Sequence, residues 1–193
     1  MMNKLRVFLF VSMLLLGATA NAAGWKFGVG ATYAGGINDV VDLYEDNYEA
    51  ENPFTDVESF AIPIGAGFIG RYETDSGLIF NLGVGPAFII SGDISHTEVP
   101  LSATIGYAFA RNGDASPYIR AGVVSHYVSG DYVEDSDPGA LTAIGVEFGR
   151  NGGLNWGLEI SVDDSTVEFE DFSKAGNTEL NSYDRQLTLF FLF

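Results

Sequence analysis

Two histidines stand in this chain of 193 residues, His96 and His126, and each has a serine and an aspartate near it in sequence. His126 is followed by Ser129 and Asp131, and His96 lies beside Ser95 and Asp93. These are the residue types of an acyl-transfer centre, in which imidazole takes the hydroxyl proton and a carboxylate orients the imidazole. Both histidines fall at the bases of loops, where a hydrogen-bonding imidazole is the ordinary occupant, and catalysis is not expected. The chain has no cysteine, which excludes a thiolate zinc site, a cysteine nucleophile and a disulfide scaffold.

The charged residues offer other chemistry. There are 26 Asp and Glu against 9 Lys and Arg, a formal net charge of −17. Nucleic acid is excluded as a partner, because phosphate contacts need a basic face. Asp131, Glu134, Asp135 and Asp137 lie close together in sequence. They are candidate oxygen ligands for a hard divalent cation, Ca²⁺ or Mg²⁺, although their spacing is not that of an EF-hand loop. A second set, Lys26, Arg71, Arg120, Glu147 and Glu159, mixes both signs and recurs inside otherwise apolar stretches.

The elements that must position these groups are strands. From Trp25 onward the chain alternates with period two, the pattern of a strand with two different faces. The first strand sets Trp25, Phe27, Val29, Ala31 and Tyr33 on one face. Seven more follow, near 60–72, 78–90, 98–109, 117–128, 139–149, 154–163 and 182–193. Short turns join the second to the third, the fourth to the fifth and the sixth to the seventh, with Asn112-Gly113 and Asn151-Gly152 as hairpin signals. Longer loops, near 35–59, 91–97, 129–138 and 164–181, make the other connections. Alternating short turns and long loops describe an antiparallel up-and-down meander, and eight such strands can close into a barrel.

The face opposite the apolar one decides between two kinds of barrel. A soluble, lipocalin-like carrier would turn its apolar face inward around a greasy ligand. Here the second face holds Gly28, Gly30, Gly65, Gly67, Gly83, Gly85, Gly106, Gly122, Gly145 and Gly157. Glycine is a poor strand former and gives nothing to a water-exposed sheet. In a narrow lumen it fits where there is no room for a side chain. The apolar faces also carry aromatics at their ends, as at Trp25, Tyr33, Phe60 and Tyr72, the girdle of a lipid-facing barrel.

On these residues the chain resembles the small eight-stranded outer-membrane barrels of Gram-negative bacteria, the group that includes OmpX, OmpW and the membrane domain of OmpA. The resemblance covers about residues 24–193, without an appended domain. Its most specific part is the end: Tyr183, Leu187, Leu189, Phe191 and a terminal Phe193 look like the signal by which the barrel-assembly machinery recognises such proteins, with Arg185 interrupting that face. The resemblance implies an all-β, antiparallel, transmembrane barrel with outer-membrane lipid and lipopolysaccharide around it. Strand one would rise from the periplasm, so Lys26, Arg71, Arg120, Glu147 and Glu159 would point inward in the periplasmic half as an ion-paired layer. Neither histidine grouping has the spacing of the lipid-modifying barrel enzymes.

Residues 1–22 are expected to be a cleaved signal peptide, leaving one domain from 23 to 193. Lys4 and Arg6 begin it, Val7–Leu16 is apolar, and Ala20-Asn21-Ala22 fits the cleavage pattern. The long loops would carry most of the acid, at Asp39, Asp42, Glu45, Asp46, Glu49 and Glu51 in the first, where Val40, Val41, Leu43 and Tyr44 suggest a short amphipathic helical turn. The expected role is non-enzymatic: envelope structure, or contact with an external protein or cation. The alternatives are a narrow, porin-like path for ions or small solutes gated by the inward charges, the soluble carrier, and a lipid-modifying enzyme.

Overall fold

The computed structural model describes residues 24–54, 64–90, 95–110, 113–150, 154–174 and 176–193. The signal segment 1–22, Phe60 at the start of the second expected strand, Asp93, Asn112 and Asn151-Gly152 lie outside the described residues.

Eight strands close on themselves. In chain order they are β1 (Trp25–Ala34), β2 (Ile64–Glu73), β3 (Leu78–Val84), β5 (His96–Ala108), β6 (Ala115–Gly130), β8 (Gly139–Phe148), β9 (Asn155–Asp163) and β12 (Arg185–Leu192). Every neighbouring pair is antiparallel. The circle is completed by β3 against β5 and by β12 against β1, with Ala31 opposite Leu189. Closure gives each of the eight strands a partner on both sides over at least part of its length.

The third strand departs from its expected run to residue 90. It stops at Val84 and resumes as β4 (Phe88–Ile90), which also pairs with β5. The interruption is Gly85-Pro86-Ala87. Pro86 has no N–H to give a ladder, and Pro100 faces the same break from β5. The β2–β3 pairing accordingly ends at Phe68 opposite Val84.

The outward face is apolar around the whole circumference. Val29, Ile64, Phe68, Leu82, Leu101, Ile105, Ile119, Val123, Ile144, Leu158, Ile160 and Leu187 are all exposed. An apolar belt of this extent is untenable on a monomer in water. Aromatic rings border it. At the end with the short turns Trp25 stacks on Phe27 with centroids 5.9 Å apart, and Phe148 stacks on Trp156 at 4.5 Å. At the end with the long loops Tyr33 and Tyr127 are exposed. The ligand-cradling alternative required these residues to be inside, and they are not.

The interior holds a buried apolar cluster of Ile79, Ala108, Tyr118, Phe190 and Leu192 together with many polar side chains. Arg71, Asn81, Thr104, Glu147, Asn155, Glu159, Ser161 and Thr188 are buried there. Small residues make room for the large ones: a Cβ at Gly157 would strike both the Phe190 ring and the Val146 carbonyl.

The loop end is built up above the barrel. A 15-residue helix, α1 (Ile37–Glu51), follows β1. Ile37, Val40, Leu43, Tyr44 and Asn47 form its buried face, at spacings of three and four residues. The helix is therefore much longer than the single turn suggested by Val40–Tyr44. It begins at Gly36, where a Cβ would fall on the Asn181 carbonyl. It ends as the Asn52 N–H reaches the Tyr48 carbonyl at 2.8 Å, just before Pro53. A small sheet stands beside it, in the order β11 (Gly176–Leu180), β10 (Thr166–Asp171) and β7 (Val133–Asp137). Ala34, Ile37, Val40, Tyr44, Phe88, Ile90, Val167, Phe169 and Tyr183 pack together as a plug core under the helix.

Candidate functional site: two polar layers in the lumen

The layer nearer the turns is centred on Glu147 and Glu159. Inward positions of β1, β2, β6, β8 and β9 bring Lys26, Arg71, Arg120, Glu147 and Glu159 together. Arg71 Nη1 donates to Glu147 Oε2 at 2.8 Å, and Lys26 Nζ donates to Glu147 Oε1 at 3.0 Å. Asn155 Nδ2 donates to the same Oε1. Arg120 grips Glu159 with two bonds, from Nε at 2.7 Å and from Nη2 at 2.6 Å. Tyr118 adds its hydroxyl to Glu159 at 2.8 Å. The guanidinium of Arg71 also lies over the Tyr118 ring, 4.6 Å from its centroid. Arg120 also donates Nη1 to Thr104 Oγ1 at 2.8 Å, and Arg71 donates Nε to Asn81 Oδ1 at 2.9 Å. That arrangement offsets the desolvation of the charges.

The layer nearer the loops has a different composition, which the sequence grouping did not anticipate. His126 does not meet Ser129 and Asp131. Asp131 instead accepts from the Ser95 N–H at 2.8 Å. The ring of His126 lies between Glu98 and Asp163. Nδ1 is hydrogen-bonded to Glu98 Oε1, and Nε2 is 3.1 Å from Asp163 Oδ2. Glu98 also receives Ser182 Oγ at 2.6 Å and faces His96 Nε2 at 3.3 Å. His96 Nδ1 lies 3.0 Å from the Tyr44 hydroxyl of α1. Tyr44, His96, Glu98, His126, Asp163 and Ser182 are all buried.

Ser165 completes a Ser–His–carboxylate connection, with Oγ 3.0 Å from His126 Nε2. Its polarity is wrong for a nucleophile. The Ser165 hydroxyl is 2.7 Å from Asp163 Oδ1 and its own N–H is 2.9 Å from the same oxygen. The proton of the serine therefore goes to Asp163. The imidazole, facing carboxylates on both sides, is a donor and not a base.

The four proposed cation ligands, Asp131, Glu134, Asp135 and Asp137, do not converge. Among the described residues no group of three or more carboxylate or histidine side chains is placed to hold a metal ion. Asp135 accepts from the Ser136 N–H at 2.8 Å, a local turn contact. Asp171, buried at the end of β10, takes a bond from Lys174 that holds its carboxyl down at about 2. Burial, and then the charge of Asp131, push the Tyr44 hydroxyl well above the ordinary phenol range.

The end of the chain needs one correction. Leu187, Leu189 and Phe193 are exposed on the outward face, but Tyr183 is not on that face. Its ring is buried in the plug core and its hydroxyl donates to the Pro86 carbonyl at 2.6 Å. The strand starts at Arg185, so residue 183 belongs to the preceding turn, which folds inward. Arg185 itself reaches Asp184 at 3.4 Å at the surface.

No protein-family model matches the chain, and no curated protein matches its sequence. Solved structures do match it. The outer membrane protein OprG from Pseudomonas aeruginosa superposes with a TM-score of 0.53 at 12% identity, covering 88% of this chain and 95% of that one. Neisserial surface protein A (NspA) superposes with a TM-score of 0.51 at 14% identity, covering 88% and 96%. The fold is that of a small transmembrane β-barrel. At these identities the likeness is one of fold, and it extends over almost the whole length of both neighbours. In such a barrel the apolar belt is the lipid-facing surface and the two polar layers are the contents of the lumen.

Between the layers lies a recess of about 70 Å³, lined in part by Gly30, Thr32, Ser102, Ser161 and Thr188. It adjoins the break at Pro86 and Pro100. It has room for a few waters.

Proposed function

We propose that the protein is a non-enzymatic barrel of a Gram-negative outer membrane, closed in its lumen, which presents an acidic surface outside the cell. The observation that supports this best is the inversion of the barrel, with apolar residues around the outside and paired charges within. Residues 1–22 would direct export, and the C-terminal strand would engage the assembly machinery. The short turns would face the periplasm. The helix α1 and the sheet β7–β10–β11 would stand outside, where Asp39, Asp42, Asp46, Glu49, Glu134, Asp135 and Glu179 are exposed. A partner there would be a protein with a basic face, since opposite charge steers association and like charge excludes it.

Trp25 and Trp156 provide the test, because both lie outward at the turn-end border of the belt. After refolding into phospholipid vesicles, brominated lipid should quench their emission. A folded protein that stays in solution with unquenched tryptophan contradicts the proposal.

A second reading is supported by the recess: a narrow path for ions or small solutes, gated by the inward charges. It requires measurable current that changes in Arg120→Ala, whose guanidinium lines the recess.

A further inference from the structure

The layer under α1 has an unusual counter-charge. Glu98 and Asp163 are buried, and among the described residues their ion-pair partners are histidines, with no lysine or arginine joining them. A neutral imidazole has one N–H, whereas His126 faces a carboxylate oxygen at each ring nitrogen. Both nitrogens must therefore carry a proton, and the resulting imidazolium is what the two carboxylates share. From Glu98 the connection continues through His96 to the Tyr44 hydroxyl, which also donates to the Asp131 carbonyl. One hydrogen-bonded chain thus runs from β9 through β6 and β5 to the helix that covers the mouth.

We propose that Asp163–His126–Glu98–His96–Tyr44 is a proton-operated latch. With both protons on His126 it ties α1 over the lumen, and loss of one proton frees the helix. Proton loss is the sensitive direction because the oxygens of both carboxylates already face donors: His126 and the Ser182 hydroxyl at Glu98, His126 and the Ser165 hydroxyl and N–H at Asp163. An uncharged His126 would leave two buried carboxylates sharing one N–H of that ring, with the serine hydroxyls as neutral donors and no charge between them to offset their own, a state that low dielectric penalises heavily.

The other groups around the latch do not supply a substitute charge. Tyr183 sets its ring edge-on to His126 at 5.2 Å and uses its hydroxyl on Pro86. Ser165 and Ser182 are neutral donors to Asp163 and Glu98. Phe88 and Phe169 cover His96 with apolar rings. The carboxylate of Asp131 is turned to Ser95, and Tyr132, packed on Tyr44, gives its hydroxyl to Glu51 at 2.8 Å. The inference goes beyond the surface role proposed above: it needs the closed mouth, and not the membrane or any partner.

The test uses the absence of native cysteine. Val40, fully buried on the underside of α1, is replaced in V40C, and exposed Asp46 on the same helix is replaced in D46C. Maleimide reaction rates are measured on the folded protein in detergent from neutral to alkaline pH. The ratio of the two rates cancels the ionisation of the thiol itself. The open form of a two-state element is ordinarily populated at about 10% or less, so release should raise the V40C/D46C ratio by roughly tenfold or more. H126Q should remove the pH dependence, and Y44F, which leaves the buried charges in place, should give a raised and nearly pH-independent ratio. If H126Q does not fold, Y44F alone decides. A flat ratio in the parent while the barrel stays folded would overturn the latch, as would an unchanged alkaline rise in either variant. Because the assay is done in detergent, its failure leaves the membrane reading standing, and failure of lipid quenching leaves the latch standing.

Discussion

Arg71 and Glu147 form an ion pair at 2.8 Å across the lumen, 76 residues apart in sequence and both almost wholly buried. The pair ties β2 to β8, strands that are not neighbours in the wall. It therefore braces the barrel across its width, with Lys26 and Asn155 completing the coordination of the carboxylate.

Removing one partner of such a pair leaves the other charge buried and uncompensated. Glu147→Gln keeps the volume and removes the charge. It should destabilise the folded barrel by about 3–5 kcal/mol, the usual cost of breaking a buried pair from one side. Urea titration followed by the shift in gel mobility of the unheated protein measures this. Arg71→Met with Glu147→Gln should recover much of the loss, because no buried guanidinium is left unpaired and the partly exposed ammonium of Lys26 can turn to water.

A great deal of this barrel is legible in the alternation of its residues. Period two sets Val29, Ile105, Ile119 and Leu158 on one face and Lys26, Arg71, Arg120, Glu147 and Glu159 on the other, and the glycines of the second face turn it inward. The loop-end layer was less accessible. Glu98, His126 and Asp163 lie on three strands, and only barrel closure brings them within hydrogen-bonding distance. Period two sets His126 inward with Gly122, and Glu98 is in step with inward Ser102, but phase does not say which inward residues of different strands meet. Helix α1 exceeds the expected turn because its buried stripe continues to Asn47, a polar residue that apolar periodicity passes over. Pro86 was compatible with an uninterrupted strand by phase, but its missing N–H breaks the ladder.

Asn47 is a second brace. It is fully buried, gives Nδ2 to the Glu170 carbonyl at 2.6 Å and takes the Phe172 N–H at 3.0 Å. Asn47→Ala leaves both backbone groups of β10 and its turn without partners. The expected cost is about 1–3 kcal/mol for each group left unsatisfied. It should fall on α1 and β10 and spare the barrel. Hydrogen exchange resolved by segment would show faster exchange over 166–172, with the barrel strands unchanged.

Tyr44 gives a pH dependence of its own. Burial and the Asp131 charge raise its hydroxyl above the ordinary value, so the folded protein retains a proton that the unfolded chain releases near about pH 10. The unfolded state then binds fewer protons than the folded one, and stability falls as pH rises through that value. Unfolding free energies of the parent and of Tyr44→Phe, measured as a function of pH, should converge or cross on the alkaline side, with the parent losing more. Parallel curves would contradict a buried, neutral phenol at this position.

The most direct test of a lipid-facing barrel closed by its own charges is electrical. Refolded protein is added to a planar lipid bilayer near neutral pH, and insertion is verified separately by recovering the compact barrel from the membrane. The account predicts a verified insertion without discrete current steps. Reproducible steps from the parent protein, altered in size or selectivity by Arg120→Ala, would contradict the closed lumen and establish the channel instead.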